Sequence, residues 1–171
     1  PEGTHPFYTK YINAGGVVIV SSDAVPDAAL IGAYRTILHL TSQRPDVLEA
    51  MLPHKPRISI MGLSETASNL PEFGSSSDGE WGLGQMPDSS TSLVSVRGVC
   101  YPGNSEYRAN FLLHEFVHAM QNLGWPTTDP QIEDEVWGAY ENAVKQGYFE
   151  APRNEPLAGI TPFDAFGDDE Y

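Results

Sequence analysis

Between Asn110 and Asn122 the sequence reads Asn110-Phe-Leu-Leu-His114-Glu115-Phe-Val-His118-Ala-Met-Gln-Asn122. The apolar residues recur at helical spacing around almost the whole circumference, which predicts a central, buried helix. The expected helix runs from about Glu106 to Asn122, capped by Ser105 and ended by Gly124 and Pro126. Two histidines four residues apart stand on one face of such a helix. Their imidazoles can grip one Zn²⁺ and leave a position on it for water. Glu115, beside them, can take a proton from that water. Buried polar groups of this kind are costly unless something satisfies them, and a metal does so. The bland reading, a polar stripe facing solvent, sits poorly with Leu112, Leu113, Phe116 and Val117 around the motif.

The rest of the chain is expected to supply a single domain, residues 1–171, of the α+β class: a small mixed sheet packed on helices around that central helix. Gly16-Val-Val-Ile-Val-Ser21 is continuously apolar and β-branched, a buried strand. Phe7, Tyr8, Tyr11 and Ile12 before it suggest a short helix stopped at Gly15-Gly16. A helix is expected from Asp23-Ala-Val-Pro26 to Gln43, broken by Arg44-Pro45-Asp46, with a shorter helix carrying Val47, Leu48, Met51 and Leu52. Arg57–Met61 and Thr91–Val96 read as strands. Residues 63–91, rich in Gly, Ser, Pro and Asp, read as a long loop of the kind that is often functional. Trp81, beside Gly82 and Gly84, either walls a cleft or pins that loop to the core. A last helix opens near Asp129-Pro130 and stops at Gly147.

A net charge of −14 argues against nucleic acid or an anionic membrane as partner, and no apolar run is long enough to span a bilayer. A chain that opens at Pro1 without methionine reads as a processed product. The only cysteine, Cys100, excludes an internal disulfide; it is either a buried free thiol or half of a bridge to sequence not present here. His39 falls near the apolar side of its helix with no partner at ligand spacing, and reads as structural.

Two histidines leave a catalytic zinc one protein ligand short. No histidine follows His118, and Gln121 stands where a metzincin has glycine, so the third ligand must be a carboxylate. Candidates downstream are Asp129, Glu133, Asp134, Glu135, Glu141, Glu150, Glu155, Asp164, Asp168, Asp169 and Glu170; Glu135 is sterically possible, although an acid in the first helical turn is explained by the helix dipole alone. Glu170, in the acidic end of the chain, ranks no higher by spacing.

At this point the chain resembles the zinc metallopeptidases whose fold is that of the catalytic domain of anthrax toxin lethal factor, especially small, often secreted fungal and bacterial members. The segments that carry the resemblance are Gly16-Val-Val-Ile-Val, Ala33-Tyr34-Arg-Thr-Ile37, Arg44-Pro-Asp46, Gly82-Leu-Gly84, Cys100-Tyr-Pro-Gly103, Leu113-His-Glu-Phe-Val-His118, and Asp129-Pro130 with Ala139-Tyr140. The resemblance implies a secreted, zincin-like gluzincin that binds Zn²⁺ and cleaves peptides or proteins with a metal-activated water. It favours Glu170, just before Tyr171, as third ligand beside His114 and His118, with Glu115 as general base. Two departures follow. The family's helix continues beyond the point at which this chain stops, at Tyr171. Phe163 stands where the family has a tyrosine that donates to the developing oxyanion. The alternative is therefore a catalytically weakened or inactive metal-binding module of the same fold. A peptide substrate is expected to pair along the strand at Ser92–Val96, read as a sheet edge.

Overall fold

The computed structural model describes residues 5–73, 82–83, 91–107 and 109–148. The chain divides into two units, Pro1–Thr128 and Asp129–Tyr171.

The first unit is built on a five-stranded sheet of order β1-β2-β3-β5-β4. Strands β1 (Lys10–Ala14) and β2 (Val17–Ser21) form an antiparallel hairpin with Ala14 opposite Val17. This corrects the expected N-terminal helix. Gly15 and Gly16 take φ of 67° and 109°, and the Asn13 Oδ1 accepts from the Gly16 N–H at 2.7 Å. Such a two-residue loop with both φ positive matches the twist of a hairpin, so Gly-Gly joins two strands rather than stopping a helix.

Chain direction then sets the connections. β2 is parallel to β3 (Arg57–Met61), and β3 is parallel to β5 (Thr91–Ser95). Parallel neighbours need a crossover, which α1 (Asp27–Thr41) and α2 (Pro45–Met51) provide between β2 and β3. The break between these helices falls at Arg44-Pro45, as proline at a helix start requires. α1 begins at Asp27, later than the expected start at Asp23, with Pro26 at its N-cap. The last strand, β4 (Gly82–Leu83), comes from the stretch read as a loop and pairs antiparallel with β5, Gly82 opposite Val94. β5 is thus flanked on both sides and is not the edge of the sheet, contrary to the sequence reading.

Alternation along the strands separates two apolar layers. Ile58, Ile60, Val94 and Val96 join Val17 and Ile19 against α1, α2 and α3 (Phe111–Leu123) in the main core. On the other face Met61 and Leu93 pack with Ala67 and Leu70, flanked by Phe7 and Phe73. The same face carries a polar cluster: the Tyr8 hydroxyl lies 3.0 Å from Ser59 Oγ and donates to Glu72, which also pairs with Arg57. Arg57 Nε donates to Thr91 Oγ1 at 2.9 Å. His39 is exposed near the end of α1, which corrects its placement on the apolar side. Cys100 is exposed as well, so it is not a buried thiol.

A short helix, α4 (Trp125–Thr128), follows α3 directly. In the second unit the described element is α5 (Ile132–Lys145), with Gln131 at its N-cap rather than Asp129. Gly147, at φ 73°, ends it as expected: its N–H and that of Tyr148 bond to the carbonyls of Val144 and Ala143. No described helix is long and apolar enough to cross a membrane.

Candidate metal centre

The two histidines are only as well placed as the helix that carries them, and α3 is fixed at both ends. At its start Asn110 Oδ1 accepts from the Leu113 N–H at 3.1 Å, so the cap is Asn110 rather than Ser105, and the helix begins five residues later than expected. Gly98 lies so close to this end that a Cβ on it would approach the Phe111 Cβ to 2.5 Å. At the far end a Cβ on Gly124 would stand 2.5 Å from Val47 Cγ1 of α2. Between these contacts Leu112, Phe116, Ala119, Met120 and Leu123 are buried in the core. Burying Phe116 and Leu112 stabilises the helix by roughly 1.5–3 kcal/mol each. The inner face is therefore committed to apolar packing, and it leaves the stripe of His114 and His118 outside the core.

On that stripe His114 Nε2 and His118 Nε2 converge to 3.0 Å, with ring centroids 4.6 Å apart and ring planes at 83°. Both rings are partly buried. Two imidazole nitrogens held by one Zn²⁺ at about 2.0–2.1 Å in a tetrahedral arrangement stand about 3.3–3.4 Å apart. A few tenths of an ångström of opening, within reach of small side-chain rotations, makes room for the cation. The donor set and its convergence fit a divalent metal of borderline softness.

Glu115, between the two histidines in sequence, reaches the sheet. It is 7% exposed, and its carboxylate lies under the backbone of Gly82 in the terminal strand β4. A Cβ at position 82 would come within 2.8 Å of both Glu115 Cδ and Cγ, and closer still to Oε1. Glycine is the residue that admits this approach. In the sequence Gly82 stands out for its permissive backbone and as part of Gly82-Leu-Gly84, not as a neighbour of Glu115. The usable signal was a Gly-x-Gly break inside a polar loop upstream of a strand, which marks a close approach without naming what approaches.

Among the described residues no group of three His, Cys, Asp or Glu side chains is assembled that can hold a metal. Glu135 is exposed in the first turn of α5, where the acidic side chains Glu133, Asp134 and Glu135 suit the helix dipole. Glu170, Phe163 and Trp81 lie outside the described residues. No family model matches this chain, and comparisons with curated proteins and with solved structures return no match.

Proposed function

We propose that the chain is a zincin-like zinc endopeptidase. The observation that carries this reading is the convergence of His114 and His118 Nε2 atoms on one stripe of a helix whose intervening Glu115 is buried against the terminal strand of the sheet. In this proposal His114 and His118 hold Zn²⁺, and Glu170 is the third ligand that the resemblance favours over Glu135.

When bound, the zinc supplies Lewis acidity, lowering the pKa of water at the open position and polarising the peptide carbonyl. The chain's own residues do the rest. Glu115 accepts a proton from the attacking water and passes it to the leaving amine nitrogen, so the two half-reactions balance at one carboxylate. Its enclosure under Gly82 fixes its rotamer and limits water around it, which holds the acceptor oxygens in a narrow range of positions. β4, the terminal strand of the described sheet, offers its outer edge to an extended peptide, whose backbone can pair there beside Glu115. This moves the pairing edge from β5 to β4. Phe163 supplies no hydroxyl; an enzyme lacking one oxyanion donor runs about 10²–10³-fold slower than one that has it.

The test is hydrolysis of casein and of a mixed peptide library by the zinc-loaded protein, with and without chelator. Chelator-sensitive cleavage that disappears in Glu115→Gln is expected. A zinc-loaded sample without cleavage removes the endopeptidase reading in favour of a metal-binding module. Phe163→Tyr then separates the two: restored turnover means that only the oxyanion donor was missing.

A further inference from the structure

Next to the first turn of α3, α1 and the Cys100–Pro102 loop line a groove of about 550 Å³. That volume is in the range of sites that take a ligand of several side chains. On α1 it is lined by Ala28, Ile31, Gly32, Arg35 and His39, positions that share one helical face. Gly32 shapes its floor: a Cβ there would meet the Cys100 carbonyl oxygen, so the loop lies directly on the helix. Across from it stand Asn110 and Leu113. Ile31 is 44% exposed and Leu113 41% exposed, so the groove presents uncovered apolar surface.

Its charge is opposite to that of the molecule. The chain has 23 acidic residues against nine basic, yet among the described residues that line the groove there is no Asp or Glu, while Arg35 and His39 are present. Arg35 makes no ion pair among the described residues. Asn110 spends its Oδ1 on the helix cap and has its amide N–H groups left to donate. Apolar floor, unpaired guanidinium and amide donor together match a peptide segment with an apolar side chain next to a carboxylate.

The position of the groove says what such a segment is for. Leu113 and His114 are consecutive, hence about 100° apart around a helix about 10–12 Å across. A chain seated beside Leu113 reaches the histidines by passing round one helix, a path of about three to five extended residues. We propose that this groove is an exosite that selects substrates by an acidic-apolar segment a few residues from the scissile bond. The proposal rests on the endopeptidase reading for its purpose, but not for its binding step.

The binding step is tested without turnover. A fluorescein-labelled peptide containing Leu-Asp-Leu, and its Leu-Asn-Leu counterpart, are titrated against the protein and against Arg35→Glu and Ile31→Glu, with thermal melting to verify that the variants fold. The expected result is saturable binding of the acidic peptide, about ten-fold weaker for the Asn peptide and for either variant, with no further loss when the Asn peptide meets Arg35→Glu. No binding, or binding indifferent to both variants, overturns the proposal. Decanoate binding that Arg35→Glu abolishes, with no peptide binding, overturns it in favour of a lipid anion. In the hydrolysis assay, Arg35→Glu is expected to lower kcat/KM about ten-fold for a substrate with the segment appended and to leave a short peptide unchanged. Equal effects on both substrates overturn the exosite role. Groove binding in a protein that cleaves no substrate leaves the docking site standing and removes the endopeptidase reading alone.

Discussion

The contact between Gly82 and Glu115 can be broken by one methyl group. In Gly82→Ala the new Cβ would lie 2.8 Å from Glu115 Cδ and Cγ, whereas unstrained carbon–carbon contacts are about 3.5–4.0 Å. The strand cannot easily yield, because Gly82 is paired to Val94 of β5, so the carboxylate must move by up to about 1 Å. Overpacking of this size costs about 1–3 kcal/mol where the surroundings hold. If Glu115 is the proton acceptor, a displacement of about 1 Å lowers kcat about 10²-fold. His114 and His118 are untouched, so zinc content is expected to stay at the wild-type level. Gly138→Ala is the control: among the described residues nothing beyond its chain neighbours and its own helix backbone lies within 4 Å of a Cβ there, and replacing a helical glycine stabilises by about 0.5–1 kcal/mol. Peptide hydrolysis, metal analysis and urea unfolding on the three proteins give the result. Wild-type activity and stability in Gly82→Ala would refute the reasoning, and loss of zinc with loss of activity would move the fault from the carboxylate to the fold.

Three further outcomes follow from the same contacts. Asn110→Ala removes the cap that holds the start of the histidine helix and is expected to cost about 0.5–2 kcal/mol in urea unfolding; Ser105→Ala, outside the helix, is expected to be near neutral. Burial, and then the hydrogen bond to Glu72, raise the Tyr8 hydroxyl well above its ordinary value of 10.0, so the fold favours the protonated phenol. The stability this contributes is present below about pH 10 and is lost as pH rises from there toward the raised value, so melting temperature should fall above pH 10. Tyr8→Phe leaves Ser59 and Glu72 without that partner, should cost about 1–3 kcal/mol at neutral pH, and should flatten the alkaline fall; an unchanged alkaline profile would show that Tyr8 is not its source.

What the sequence made legible was whatever depends on local pattern. β2 is marked by an unbroken apolar β-branched run, β3 by alternation, β5 by a short strand-like stretch after a polar loop, the α1–α2 break by Arg44-Pro45, and the end of α5 by Gly147. The α+β class followed from those. β1 was misread because Tyr8, Tyr11 and Ile12 fit a helical period about as well as an alternating one, and Gly15-Gly16 serves as a stop or as a hairpin turn depending on what lies beyond. β4 has two residues, too few for any period, and exists because β5 offers it an edge. The candidate site divides in the same way. His114, Glu115 and His118 were legible because four-residue spacing on one helix is local. The approach of Gly82 to Glu115, and the groove between α1 and α3, join residues distant in sequence and arise only on packing. The start of α3 at Asn110 rather than Ser105 coincides with the close packing of Gly98 on Phe111, a contact between residues distant in sequence.

The most direct test of the central claim is the zinc content of the protein after dialysis against a zinc-buffered solution, measured beside His118→Ala and a His114→Ala/His118→Ala double variant. About one zinc per wild-type chain is expected, with much weaker retention in the single variant, none in the double, and hydrolysis following occupancy. A folded wild-type protein that retains no zinc, or a double variant that retains it equally, would contradict the assignment of His114 and His118 as the metal centre.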